Sequence, residues 1–554
     1  MKIRQGLVIF LLFFALEHPF AVGQLEGEEW SLLNMISADS LRRHIEFLGS
    51  DSLDGRAVGT RGERKAADYL AARLRAYGLK PLGDNGTYFQ TIPMHGSRAL
   101  KESELTLFYG DEKHELRLGE DYLLLKTGAQ TFIPQAVPLV FVGFGIIAPE
   151  FDYNDYQSLD AEGKIAVMLT GEPYSGDPSY FAGEDPTIYS LLESKQRTAV
   201  SRGAMGCLFI PAPMDADFRD WEKKRREFAF EEVTPAYWPS GHFSAVINPD
   251  SAAKLFRKSP FSLSQVYEMY RRSTVRSFAM HASLSFHGRF LERDFIGTNV
   301  LGLIEGKEKG VKASFFLVSA HFDHLGIGPS VNGDSIYNGV LDNAVGTAAA
   351  LELARIFSEA RLDCSPSIIF LFTTGEEKGL IGSRYYCDHP PVPLHKTIAN
   401  LNIDGLATLD DFKDVVGVGA ELSTLGDYLK ETADRLNLQV SPVPSPFLAH
   451  ESFARSDQLS FAQAGIPAIL ISEGLNYKNL TLEQALQYLL YWYENIYHSP
   501  FDDLSQHIHY GAAVKHVQVL AAFCLSILNG KTVPQWRPGT SFLAERLRTI
   551  AEKR

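Results

Sequence analysis

The stretch "FLFTTGEEKGLIGS", residues 370–383, sets two adjacent carboxylates, Glu376 and Glu377, at the end of an apolar, β-like run. Taken alone it reads as a solvated turn, because Gly375 and Gly379 bracket the pair and Lys378 partly neutralises it. Its neighbours change that reading. Upstream, "ASFFLVSAHFDHLG" (313–326) is another apolar run, followed by the alanine-rich helical pattern "NAVGTAAALELARIFSEA" (343–360). Downstream come "TIANLNIDG" (397–405) and, after the helical "ESFARSDQLSFAQAG" (451–465), the strand-like "IPAILIS" (466–472). Apolar strands separated by helices predict an α/β domain with a mostly parallel central sheet covered by helices on both faces. Ligands in such sheets bind beyond the carboxyl ends of the strands.

Those strand ends carry chemistry. One finishes in His321 and Asp323, the next in Glu376 and Glu377, and a third in Asp404, while Asp342 heads the alanine-rich helix and His498 lies in the loop "YHSPFDD" (497–503). Each has a plain alternative: Asp342 as a helix cap, Asp323 as a turn residue, and His321 and His498 as structural histidines among the 16 in the chain. Together they converge on one sheet edge. Imidazoles and carboxylates of this kind suit a pair of zinc ions with open positions for water. His321, Asp342, Glu377, Asp404 and His498 supply the ligands if Asp342 bridges. Glu376, left over, is placed to take a proton from a metal-activated water and return it to a leaving amine. Asp323 is placed to accept the His321 ring N–H and fix its tautomer; His324 reads as structural.

At 554 residues the chain exceeds one ordinary core, and roughly 150 residues per domain implies several units. A hydrophobic fraction of 45% and a charged fraction of 22% are those of a globular protein, and a net charge of -14 argues against general nucleic-acid binding. The opening "MKIRQGLVIFLLFFALEHPFAVGQ" has a basic start, a short apolar run and small residues before Gln24, the pattern of an export signal at 1–23. An apolar run this short falls below the roughly 20 residues of a spanning helix, and no later segment reads as spanning a bilayer. The expectation is therefore an exported protein, periplasmic or extracellular, with no membrane association after cleavage. Cys207, Cys364, Cys387 and Cys524 are widely spaced and form no metal or redox motif.

The motifs "SAHFDHLG", "GVLDNAVGTAAALELAR", "FTTGEEKGLIGS", "NLNID" and "YHSPFDD" resemble, in order and spacing, the co-catalytic zinc aminopeptidases. Relatives of that family include bacterial leucyl aminopeptidases, glutamate carboxypeptidase, glutaminyl cyclase and the transferrin receptor ectodomain. The resemblance implies one metal on His321 and Asp404, the other on Glu377 and His498, Asp342 bridging, and Glu376 as general acid/base. "HIEFLGSDSLDGRAVGTRGERKAADYL" (44–70) is similar to the N-terminal segment of bacterial members. Residues 132–286, with "FVGFGI", "DYNDY" and "GKIAVML", resemble an inserted protease-associated domain. This divides the chain into a peptidase domain at 24–131 and 287–531, the insert, and a tail at 532–554. Asn343 after the bridging aspartate and "RSDQ" at 455–458 depart from the pattern and point to substrate fit. The implied function is a metallo-aminopeptidase acting on peptides. A carboxypeptidase, a single-zinc glutaminyl cyclase and a non-catalytic binding ectodomain are the alternatives; oligomeric state is not encoded legibly. Arg455 and Glu473 lie in loops near the expected substrate pocket, and the sequence assigns a role to neither.

Overall fold

The computed structural model describes residues 27–553 apart from 129–130, 175, 178, 182, 184–186, 214, 216–217, 219, 238–240, 308–312, 362–365 and 445–452. The leader read at 1–23 lies outside them, as does Cys364. The remaining cysteines, Cys207, Cys387 and Cys524, are buried free thiols.

The apolar runs assemble a 10-stranded sheet. Its strands are β1 (Phe89–Ala99), β2 (Glu232–Pro235), β3 (Phe290–Ile304), β4 (Phe315–His321), β5 (Ser367–Thr373), β6 (Thr397–Asn402), β7 (Asp414–Val418), β8 (Gln439–Ser441) and β9 (Ala468–Glu473), with Lys80–Pro81 paired to β3. They lie in the order β2-β1-β3-β5-β4-β6-β9-β7-β8. Pairing is parallel in the centre, β5 to β4 to β6 to β9, and antiparallel where β3 meets β5 and where β7 meets β9. The α/β class is as read from the sequence, and the sheet is mixed, with the site at the ends of its central parallel strands and a further parallel pair, β7 and β8, at one edge.

Burial on both faces explains the unbroken apolar strands. Ile368, Phe370 and Phe372 of β5 pack under one helical layer, and Ile369 and Leu371 under the other. The first layer contains α1 (Ala38–Leu48, capped by Ser37), α2 (Arg61–Ala76, capped by Thr60), α4 (Val345–Glu359) and α7 (Tyr510–Leu528). The second contains α5 (Ile381–Asp388) and α6 (Gln458–Gln463). Helix α7 corrects the expectation that no later segment could span a bilayer: it is 19 residues long and an 18-residue window of it has a mean hydropathy of 1.6, which qualifies by length and composition. However, 72% of that window is buried, so its apolar surface is used by the core.

A second, 8-stranded sheet is built from residues 104–287 around its own core. It hangs on the antiparallel β1–β3 pair, registered from Phe290 opposite Ala99 to Val300 opposite Phe89. The insert boundary read at 132 falls inside this sheet, because the strands Glu104–Tyr109, Glu112–Leu116 and Tyr122–Leu124 pair within it. Short alternating strands carry no local sign of which sheet they will join. Conversely, β2, from within the insert, returns to pair with β1. Helix α3 (Trp221–Glu227), just before it, reaches across to the part of the chain built on the 10-stranded sheet through Lys223 Nζ, which donates to Tyr493 O at 2.8 Å. The stretch read as a tail is packed as well: Trp536 is buried and donates to Gly465 O, and helix α8 (Ser541–Glu552) follows.

Candidate metal centre

Three neighbouring strand ends meet the head of α4 and the loop before α7. His321 is the last residue of β4, and its Nε2 lies 3.3 Å from Asp342 Oδ1 and 3.2 Å from Asp404 Oδ1. On the other side, His498 Nε2 lies 3.4 Å from Asp342 Oδ2 and 3.1 Å from Glu377 Oε2. The two oxygens of Asp342 therefore face two different imidazole and carboxylate sets. Asp342 is no helix cap: α4 begins after Ala344, which makes no side-chain capping bond.

Gly375 explains how both glutamates reach one site. Its φ of 70° is left-handed, which glycine adopts without strain, and it turns the chain sharply after β5. Thr374 anchors the turn, its N–H donating to Asn299 Oδ1 (3.0 Å) and its hydroxyl to Glu63 Oε1 (2.7 Å). Burial pushes the Glu376 carboxyl well above the usual range, reinforced by Asp404 and Glu377. Burial acts the same way on Glu377, but the His498 and His324 imidazoles outweigh it and hold that carboxyl well below. Adjacent carboxyls driven apart in this manner take different roles.

Asp323 departs from the expected contact. Its carboxylate is 3.9 Å from His321 Nδ1, whose nearer acceptor is the Asp323 carbonyl at 3.3 Å. Asp323 Oδ1 instead accepts the Glu376 backbone N–H at 3.2 Å. It thus fixes the glutamate turn rather than the histidine ring. Asn343, read as bearing on substrate fit, is fully buried. Its Oδ1 accepts from Gly405 N (2.9 Å) and Gly346 N (3.1 Å), and its Nδ2 donates to Ile403 O (2.9 Å). In "RSDQ", Asp457 and Gln458 are buried as well, Asp457 accepting from the Thr373 and Ser383 hydroxyls at 2.5 Å. Arg455 donates to Tyr493 OH (3.0 Å), and Glu473 lies 3.5 Å from Tyr477 OH.

Several residues escaped the sequence reading. His324, taken as structural, places Nδ1 2.6 Å from Glu377 Oε1, and its buried Nε2 has no hydrogen-bond partner. Asp502, in the quoted "YHSPFDD", accepts from Leu341 N (2.7 Å) and Asp342 N (3.0 Å), tying the His498 loop to Asp342. Tyr497 stacks on His498 with ring centroids 3.8 Å apart. Burial, with Asp342, Glu377, Glu376 and Asp404 around it, holds its phenol well above the ordinary value, so it stays a donor. Adjacency to His498 was the one available signal.

The donor set fits divalent metal. His321, Asp342 and Asp404 present ligand atoms within 4.8 Å of one another, as do His324, Asp342 and Glu377. His498 Nε2 is buried with no hydrogen-bond donor or acceptor to satisfy it, although it is aimed at two carboxylates. Crowded buried carboxylates of this kind repel one another unless cations compensate them.

Residues 299–524, which hold all of these His, Asp and Glu side chains, match the profile of peptidase family M28. The chain is 28% identical to leupeptin-inactivating enzyme 1 of Streptomyces exfoliatus over 271 residues, 44% of this chain and 52% of that one. It is 32% identical to aminopeptidase YwaD of Bacillus subtilis over 112 residues, 20% of this chain and 22% of the relative. The matches thus span about half of the first relative and less of the second. An aminopeptidase from Aneurinibacillus sp. strain AM-1 shares the fold, with a TM-score of 0.53 at 19% identity over 92% of this chain and 97% of that one.

Proposed function

We propose that this protein is an exported, two-zinc aminopeptidase that removes N-terminal residues from peptides. The observation that carries the reading is Asp342, whose two oxygens face separate His–carboxylate sets on either side. His321 and Asp404 would hold one metal and Glu377 and His498 the other, with Asp342 shared and the His324 ring fixing Glu377. When bound, the metals supply Lewis acidity toward the scissile carbonyl and lower the pKa of water.

The remaining steps belong to the chain. Glu376, oriented by the Asp323 bond to its N–H, takes the proton of the attacking water and delivers it to the departing amine. The Tyr497 phenol donates a hydrogen bond to the carbonyl oxygen as charge builds on it. Acid excess around Asp404 and Glu376 favours a substrate end that is an ammonium. Arg56, the guanidinium packed beneath the centre, donates to backbone carbonyls and is not presented to a substrate carboxylate. The β-rich insert is taken as the protease-associated module that its motifs resemble, and the leader pattern supports export.

Purified protein assayed on aminoacyl and N-blocked dipeptide substrates, with zinc measured on the same sample, tests the reading. The expected result is two zinc ions per chain and cleavage that requires a free amino terminus. Glu376→Gln should keep its zinc and lose about 100- to 10,000-fold in kcat, the usual scale for removing a general base. Rapid cleavage of blocked substrates with a free carboxylate would overturn the aminopeptidase assignment, and one zinc per chain would favour the cyclase chemistry.

A further inference from the structure

Beneath the metal centre lies a charge that no ligand role requires. Arg56 is 1% exposed, and its guanidinium is surrounded by backbone carbonyls. Nε donates to Phe322 O (2.7 Å), Nη1 to Asn338 O (2.6 Å) and to Leu48 O, and Nη2 to Gly339 O (2.9 Å). Phe322 sits between His321 and Asp323. Asn338 and Gly339 open the turn that delivers Asp342. One side chain from the N-terminal segment therefore grips both backbone stretches whose spacing sets His321 against Asp342.

The segment is moulded to this place. A Cβ on Gly49 would come within 2.5 Å of Val340 Cγ2, and one on Gly55 within 2.2 Å of Tyr337 O. Asn338 Nδ2 donates back to Gly49 O (3.0 Å) and Asp51 Oδ1 (2.9 Å), and the Arg56 carbonyl accepts from His324 N (3.4 Å). Only a planar fork with several fixed N–H directions can hold these carbonyls together, which a lysine ammonium of equal charge cannot reproduce. The gripping segment, residues 48–56, lies outside the 299–524 stretch that carries the family match, whereas the backbone it grips lies inside it.

We propose that Arg56 is a positioning residue for the metal centre, holding the His321–Asp323 and Asn338–Asp342 backbones at the separation that lets Asp342 bridge two ions. The inference rests on the two-metal reading. Arg56→Lys keeps the charge and loses the fork, so it separates geometry from electrostatics. In the folded variant the zinc dissociation constant, measured by chelator competition, should rise about 10- to 100-fold, the range for groups that orient ligands. The absorption spectrum of the cobalt-substituted variant should change, and kcat should fall more than KM rises. A folded variant with wild-type zinc affinity and cobalt spectrum, however much its melting temperature drops, overturns the proposal. Where Arg56→Lys does not fold, hydrogen exchange on the wild-type chain decides. Coupling is reciprocal, so zinc loading should slow exchange in residues 49–57, which contain no ligand; unchanged exchange there overturns the proposal. Wild-type protein that binds no zinc would remove the two-metal reading and this inference together, whereas normal wild-type loading with an indifferent Arg56→Lys removes this one alone.

Discussion

At the scale of single residues, the centre is held by second contacts as much as by its ligands. Asp502 shows this: a fully buried carboxylate that holds the N–H groups of Leu341 and Asp342 and so sets where the Asp342 side chain starts. Asp502→Ala would leave both donors buried and unpaired, at about 1–3 kcal/mol each. The expected outcome is a lower melting temperature together with reduced zinc content, while Asp502→Asn, whose amide oxygen can still accept, loses less of both. Calorimetry and metal analysis on the pair check this; equal zinc content in all three proteins would contradict it. Of the proposed ligands, His321, Glu377 and Asp404 were legible because they lie at strand ends and Asp342 because it precedes a helix, while His498, in a loop, was legible only through the motif around it. Asp502, Tyr497 and His324 were not, because their roles depend on partners that only folding brings close: Asp502 acts 160 residues away, and His324 Nδ1 meets a glutamate 53 residues on.

Elements supply the aim. A β-strand alternates its side chains, so consecutive glutamates continuing β5 would point to opposite faces. The left-handed turn at Gly375 breaks that alternation, and Ile381 N–H closes the turn on the Gly375 carbonyl at 2.9 Å. A methyl group there would strain the backbone and press on Ile381 Cβ at 3.2 Å. Gly375→Ala should destabilise the fold by about 1 kcal/mol and, by displacing Glu376, lower kcat while leaving the far-UV circular dichroism unchanged. Full activity in Gly375→Ala would show that the turn geometry is not what places the base. Polar caps set the helix starts: Ser37 caps α1, accepting from Ser40 N at 3.3 Å, and Thr60 caps α2, accepting from Glu63 N. Strands 104–124 were misassigned because alternation states a half-buried strand without naming its sheet.

Across the whole molecule, α7 ties its helical layer to the sheet. His516 on it is 1% exposed, its Nδ1 accepting from Ala407 N (2.9 Å) and its Nε2 donating to Ile471 O (3.1 Å). That arrangement requires a neutral ring, and burial lowers its pKa from 6.5 to about 4. The unfolded chain takes up this proton near pH 6.5 and the folded chain only near 4, so the contribution is whole above 6.5 and is lost as pH falls from 6.5 toward 4. Buried acids raised by desolvation, such as Glu473 at about 7, slope the opposite way. The test is therefore a difference: between pH 7 and 4.5, wild type should lose roughly 1–3 kcal/mol more unfolding free energy than His516→Gln. Parallel curves would refute it.

The order of apolar strands, helix starts and strand-end ligands was determined by the sequence alone, because periodicity, capping and side-chain chemistry are local properties of the chain. Which strands joined which sheet, the grip of Arg56 and Asp502 on the ligand loops, and the burial of Asn343 and the residues beyond 531 were decided only by the tertiary structure. Those features consist of hydrogen bonds and packing between residues far apart in the chain, and no local pattern records which distant carbonyl or carboxylate a side chain will meet.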